Sequence, residues 1–260
     1  MKALILAGGR GSRLTDVTEG KNKCMCLFEG RHIIAYNLDN AVSARVDEIV
    51  IVVGYKAESI VNEFGNSYRG VPIRYVIQWE RHGLVHAIEC AEAQLDGSDF
   101  MLLLADEILI DPRHPAMLEE FRDPSLFALC GTVRVEDLTL IRKTYAVFTD
   151  ERSGRIHRLV EKPRTPLNDI QGTGNCVFRN AIFSYIAHTP INQQRQEKEL
   201  PDLIQCAIDD GKIVRMFEIA SWYTNVNTSE ELARLGERAT ASVAAGHLAA
   251  SGGANGPAAV

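Results

Sequence analysis

Residues 1–14 read MKALILAGGRGSRL. Residues 3–7 are continuously apolar and pass straight into Gly8-Gly9-Arg10-Gly11-Ser12-Arg13. An unbroken apolar run of this length suits a strand buried on both faces, as in a parallel sheet. Glycines directly after such a strand free backbone N–H groups that can cradle phosphate oxygens, and Arg13 supplies opposing charge. The spacing is not a Walker loop, because no Gly-Lys-Ser/Thr follows, and it is not the GxGxxG dinucleotide fingerprint. A tight surface turn is the bland alternative, so the rest of the chain has to decide.

Working outward, residues 48–53, 73–77 and 100–104 repeat the apolar-run pattern of residues 2–7. Helical spacing fills 32–44, 58–64 and 84–95 between them. Strand and helix in alternation predict a doubly wound α/β fold. Residues 126–135 read as another strand. Beyond 136 the pattern changes to short strands at 145–149, 156–160 and 172–178, which predict a smaller α+β lobe. Helices are expected at 181–187 and 200–209, with Gly211 as a stop. A strand is expected at 213–219 and a last helix at 229–239 with Thr228 as its N-cap. The expected division is an α/β core over 1–135, a smaller lobe and closing helix over 136–240, and a disordered Ala/Gly-rich tail over 241–260.

The chain has 260 residues, 46% hydrophobic and 24% charged, which is enough to bury a full core. A net charge of −6 argues against nucleic-acid and anionic-membrane partners. No apolar run reaches the roughly 18 residues that a membrane span needs. The N-terminus lacks a signal-peptide layout, so a cytoplasmic location is expected. Cysteines at 24, 26, 90, 130, 176 and 206 match no zinc spacing and read as reduced thiols.

Three further stretches carry chemistry. Leu102-Leu103-Leu104-Ala105-Asp106-Glu107 places a carboxylate at the carboxyl end of an apolar strand, where α/β sheets bind ligands. A hard oxygen there suits Mg²⁺; a helix cap or a solvated loop acid is the alternative. Glu107 is expected to face solvent or to support its neighbour. Leu159-Val160-Glu161-Lys162-Pro163 ends a strand with an acid, a base and a proline stop, which could also be a surface ion pair. Trp222-Tyr223-Thr224-Asn225-Val226-Asn227-Thr228-Ser229-Glu230-Glu231-Leu232 is an amide-rich strand end running into a helix.

LILAGGRGSRL, a lysine ten residues after Arg13, LLLAD, VEKP and W-x-x-N-V-N-T-x-E-E-L occur in the order seen in sugar-phosphate nucleotidyltransferases, the nucleotide-sugar pyrophosphorylases. The chain resembles that family over roughly residues 1–235, which implies a Rossmann-like doubly wound mixed sheet as nucleotide-binding core over 1–135 and a smaller α+β sugar-phosphate-binding lobe over 136–240. The resemblance implies that Leu6, Ala7, Gly8, Gly9, Gly11, Ser12 and Arg13 form the loop around a nucleoside triphosphate. It implies that Lys23 is the lysine which in the family follows a proline. Asn22 replaces that proline, so a less rigid loop is expected. Gln78 and Gly83 match residues that contact the base. Asp106 matches the metal aspartate. Glu161 and Lys162 match the pair that holds the sugar and its phosphate, while Gly174 and Asn175 fall where relatives line the sugar. Tyr145-Ala146 replaces Tyr-Gly, so a sugar contact is expected to differ. The second Mg²⁺ ligand is expected at Asn227, with Asn225 as second choice.

The reaction implied is transfer of a nucleotidyl group from an NTP to a sugar 1-phosphate, with pyrophosphate released. The attacking phosphate is already an anion, so neither a base nor a covalent intermediate is needed. Positioning and electrostatics carry the rate. Arg13 would stabilise the α/β-phosphates and the leaving pyrophosphate, Lys23 the α-phosphate and Lys162 the attacking phosphate. The histidines are given lesser parts, His82 near the nucleotide and His86 in packing; Trp79 and Trp222 are expected as walls. Self-association is left open. The main alternative is a cytidylyltransferase for phosphocholine, a phosphonate or a polyol phosphate; a quaternary amine would need several aromatics near Tyr145 and Trp222. The two asparagines also motivate a non-catalytic nucleotide-binding homologue.

Overall fold

The computed structural model describes residues 1–9, 22–228, 230, 231, 235 and 236. The expectations placed on Gly11, Ser12 and Arg13, on most of the 229–239 helix and on the 241–260 tail lie outside these residues. The central element is a ten-stranded mixed sheet. Strands β1 (Lys2–Ala7), β2 (Glu48–Val53), β3 (Val71–Ile77) and β4 (Phe100–Leu104) are its parallel core. β1 lies between β2 and β4, and β3 lies outside β2. The strand order 3-2-1-4 therefore reverses at β1.

Both faces of β1, β2 and β4 are covered, which is why these strands are apolar nearly throughout, whereas β3, toward the edge, alternates buried and exposed residues. Ala3, Ile5, Ile51 and Leu103 pack beneath helices α1 (Ile33–Ser43) and α2 (Ala57–Phe64). Leu4, Val50, Val52 and Leu102 face α3 (Gly83–Cys90) on the other side. Burying side chains such as Ile5, Ile51 and Leu103 completely contributes roughly 1.5–3 kcal/mol each. The 84–95 helix expected is present but broken at Ala91, whose N–H donates to Ile88 O at 3.0 Å, and it resumes as a short helix over Glu92–Leu95.

Seven later strands of four or more residues follow, five of which join the same sheet; its tenth member is the two-residue strand Ser67–Tyr68 beside β3. They are β5 (Glu107–Ile110), β6 (Leu126–Arg134), β7 (Tyr145–Thr149), β8 (Ile156–Glu161), β9 (Ile170–Phe178), β10 (Ile213–Glu218) and β11 (Trp222–Asn225). Of these, β5 and β11 instead form a separate antiparallel ribbon, Glu107 opposite Asn225. β9 is buried throughout and runs antiparallel to β4 at one end and to β7 at the other. Its pairing with β6 shifts between Gly172 and Cys176. One sheet thus runs through both the 1–135 and 136–240 segments. The 181–187 helix is a 3-10 segment, Asn180–His188, with Ile182, Phe183 and Ile186 buried; periods of 3.0 and 3.6 bury the same three side chains over so short a span. Helices α4 (His114–Glu120) and α5 (Leu200–Asp209) complete the two layers. No helix among the described residues is long and apolar enough to cross a membrane.

Candidate active site

A cleft of about 1100 Å³ opens at the carboxyl ends of β1 and β4. It lies where the strand order reverses, the position at which open α/β sheets bind ligands. Leu6, Ala7, Gly8 and Gly9 line it at the end of β1. A Cβ on Gly8 would come within 2.9 Å of Gln78 Oε1, so glycine lets Gln78 close over the turn. Gln78 is buried and donates from Nε2 to Gly83 O at 3.1 Å. Gly83 has φ +88° and opens α3. The two residues assigned to the base are therefore bonded to each other beside the glycine turn. His86, expected to pack, instead contacts Gln78 Nε2 through Nδ1 at 3.0 Å and orients its amide. His82 meets Glu80 on the surface.

Lys23 sits in the 3-10 turn Lys23–Met25 and is buried. Asn22 fixes this turn. Its Nδ2 donates to Ala7 O (3.0 Å) and Tyr55 O (2.7 Å), and its Oδ1 accepts from Cys24 N at 3.1 Å. The loop expected to be looser than a proline-bearing one is held by three hydrogen bonds. From this point the Lys23 ammonium reaches Asp106 Oδ2, Asn227 Oδ1 (2.7 Å) and Asn225 Oδ1 (3.1 Å). Asn227 Nδ2 donates to Asn225 Oδ1 at 2.8 Å, which leaves the Asn227 oxygen facing Lys23. Both asparagines thus converge with Asp106, rather than Asn227 alone. Among the described residues no group of three His, Cys, Asp or Glu could hold a metal. The set here is one carboxylate and two amide oxygens. Hard oxygen donors gathered around a cation fit Mg²⁺, with the ammonium marking the cation's place.

Glu107 does not face solvent. It is 1% exposed and backs the oxygen set. Its carboxylate accepts from Gly174 N (3.0 and 3.1 Å), Asn175 Nδ2 (2.8 Å) and Tyr223 O–H (2.8 Å). Burial, then the neighbouring Asp106, pushes its carboxyl up to about 8. Asn175 lies beneath the cleft rather than on its wall; it is fully buried between Glu107 and His114. Gly174 does line the cleft, and a Cβ there would collide with Leu104 at 2.2 Å. Tyr145 also lines it, with its hydroxyl donating to Thr173 O at 2.8 Å.

At the far end, Lys162 Nζ pairs with Glu161 Oε1 at 2.7 Å. Lys162 has φ +41°, a strained backbone that its Thr144 O hydrogen bond (2.7 Å) holds in place. Burial raises the Glu161 carboxyl, with Lys162 and Arg195 pulling it back down. Arg195 lies opposite, 3.5 Å from Glu161 Oε1 and 3.0 Å from Glu199 Oε1. Arg195, Glu197, Glu199, Arg142 and Lys143 all line the cleft and were missed in the sequence. Arg195 sits in QQRQEKEL, which has neither strand nor helix period, so no pattern pointed to it. Lys143 could have been paired with the Glu231 of N-T-x-E-E, its partner at 2.6 Å. Glu231 also completes a capping box: its N–H donates to Thr228 Oγ1 at 3.2 Å, while its carboxylate takes the N–H groups of Asn227 and Thr228. Trp79 and Trp222 are not cleft walls. Trp79 is 84% exposed, and Trp222 packs on the apolar cluster of Phe28, Ile33 and Val226.

A glycine turn, an oxygen set at a reversal of strand order and a far end of paired acids and bases place the cleft of an α/β protein. The chain belongs to the nucleotidyl transferase family, whose profile matches residues 2–224. It is 32% identical over 232 residues to a UTP–glucose-1-phosphate uridylyltransferase of Haloferax volcanii, covering 89% of this chain and 93% of that one. It is 31% identical to a glucose-1-phosphate thymidylyltransferase of Streptomyces griseus, over 90% of this chain and 66% of that one. A UDP-glucose pyrophosphorylase solved with UDP-glucose has the same fold, with a TM-score of 0.82 at 21% identity over 92% of this chain and 98% of that one.

Proposed function

We propose that this chain transfers a nucleotidyl group from a nucleoside triphosphate to a sugar 1-phosphate and releases pyrophosphate. The observation that carries this reading is the convergence of the Gly8–Gly9 turn, the Asp106–Asn225–Asn227 oxygens and the Lys162–Glu161 pair in one cleft. The names of the relatives make UTP or dTTP, with glucose 1-phosphate, the first substrates to test.

An oxygen of the acceptor phosphate forms a bond to the α-phosphorus, and the bond to the β-phosphate oxygen breaks in line with it. The difficulty is the approach of two anions, so the chain's work is positioning and neutralisation. Gly8 and Gly9 offer N–H groups to the triphosphate, with Gln78 and Gly83 beside the base. Lys162, with Arg195 facing it, holds the acceptor phosphate. Glu161 is placed to accept from sugar hydroxyls. Asp106, Asn225 and Asn227 would hold Mg²⁺, which when bound neutralises and aligns the α-phosphate. Six free cysteines suit a reducing, cytoplasmic setting. A phosphocholine acceptor is poorly served: Tyr145 and Tyr223 are the only aromatics lining the cleft among the described residues, and both are buried with their hydroxyls bonded.

The test is pyrophosphate release with Mg²⁺, running ATP, GTP, CTP, UTP and dTTP against sugar 1-phosphates, phosphocholine and phosphonates. Turnover is expected with a pyrimidine triphosphate and a hexose 1-phosphate. Asp106→Ala and Lys162→Ala should each lose about 10²-fold or more. Nucleotide binding without turnover on any acceptor would favour the non-catalytic homologue.

A further inference from the structure

We propose that Lys23 occupies the divalent-cation position in the nucleotide-free protein and yields it only when metal and triphosphate arrive together. This rests on the nucleotidyl-transfer reading of the same cleft. An ammonium has three N–H donors, and all three are used here, on Asp106, Asn227 and Asn225. Each of the three side chains gathered for a cation is thus already engaged by one through an oxygen. The arrangement is fixed from both sides: Asn22 anchors the turn that carries Lys23, and the Asn227–Asn225 amide bond aims the two oxygens inward.

The charge count favours the lysine over a bare metal. Only Asp106 carries a formal charge in the set, so the ammonium neutralises it completely. A dication entering without phosphates would find one carboxylate, two amides and a like charge at contact distance. Affinity for hard cations falls as ligand charge falls. A triphosphate changes both sides of this exchange. It brings additional anionic oxygens for the metal, and it offers the displaced ammonium phosphate oxygens in place of Asp106. A lysine that serves the α-phosphate during turnover is thereby the occupant that excludes metal before it.

The consequence runs against the usual effect of deleting a site residue: removing Lys23 should tighten metal binding to the free protein. A ligand's apparent affinity is reduced by the fraction of protein competent to bind it, so a site held by Lys23 nine-tenths of the time binds about tenfold more weakly than the open set. The measurement is equilibrium dialysis of the full chain against Mn²⁺, with and without UTP or dTTP and with no acceptor. Lys23→Met and Lys23→Gln should bind Mn²⁺ alone about tenfold or more tightly than wild type. Asp106→Asn placed on either variant should abolish that gain. Wild type should bind Mn²⁺ well only with nucleotide. Equal or weaker binding of Mn²⁺ alone by folded Lys23 variants overturns the inference. So does tight Mn²⁺ binding by nucleotide-free wild type, which needs no variant to fold. If no form binds Mn²⁺ even with nucleotide, the metal reading falls together with the inference. If wild type needs nucleotide but the Lys23 variants bind no tighter, this inference alone falls.

Discussion

Asn22 shows how one residue replaces a covalent restraint with hydrogen bonds. A proline stiffens a turn through its ring. Asn22 stiffens this one by joining Ala7 at the end of β1, Tyr55 beyond β2 and Cys24 within the turn. Truncation to Ala would take this donor from the buried Ala7 carbonyl and the part-buried Tyr55 carbonyl, at about 1–3 kcal/mol. Asn22→Ala is therefore expected to unfold at lower urea by that amount and to slow pyrophosphate release. Because Asn22 acts through Lys23, it should cost little more on top of Lys23→Ala, and additive losses in that double-mutant cycle would refute the coupling. The identity of residue 22 was plain in the sequence. Its acceptors were not, because they lie 15 and 33 residues away.

At the scale of elements, β9 shapes the part of the cleft proposed to take the acceptor. Gly172 pairs with Tyr145 on β7, and a Cβ built on Gly172 would lie 2.0 Å from the Tyr145 ring. The glycine is what lets the ring lie flat on the strand and place its hydroxyl on Thr173 O. Gly172→Ala should push the ring out, lower stability by about 1–3 kcal/mol and raise KM for the sugar phosphate more than for the triphosphate. Steady-state kinetics with each substrate varied would check this; equal shifts in both KM values would count against a local effect. The parallel strands were legible because burial on both faces leaves a continuous apolar run. The β5–β11 ribbon was not. Glu107-Ile108-Leu109-Ile110 is short, and its partner lies over a hundred residues later. Missing it left Glu107 open between solvent and a supporting place beside Asp106, whereas the ribbon is what buries it.

The whole molecule stores a pH dependence at His114. Burial holds this imidazole down at about 4, against 6.5 for an ordinary histidine. The folded chain keeps it neutral while the unfolded chain protonates it. Its contribution is therefore fully present above pH 6.5 and is lost as pH falls from 6.5 toward 4, at up to about 1.4 kcal/mol per pH unit. Compared with His114→Gln in urea melts, the wild-type difference in unfolding free energy should shift by about 2 kcal/mol against wild type between pH 7 and pH 5. Glu107, raised in both proteins, largely cancels in that comparison. An unchanged difference would mean that His114 is protonated in the fold.

The sequence by itself determined the α/β class, the parallel strands and most cleft residues near chain motifs, including Gly8, Gln78, Asp106 and Lys162. Period and composition are local properties, and the family pattern is written in the order of short motifs. Only the tertiary structure decided that both Asn225 and Asn227 join Asp106, that Asn175 and Glu107 are buried support, and that Arg195 shares Glu161 with Lys162. Those facts depend on which distant segments meet. Lys23 and Asn227 lie 204 residues apart in the chain yet share one hydrogen bond, set by where β1, β4 and β11 end in space.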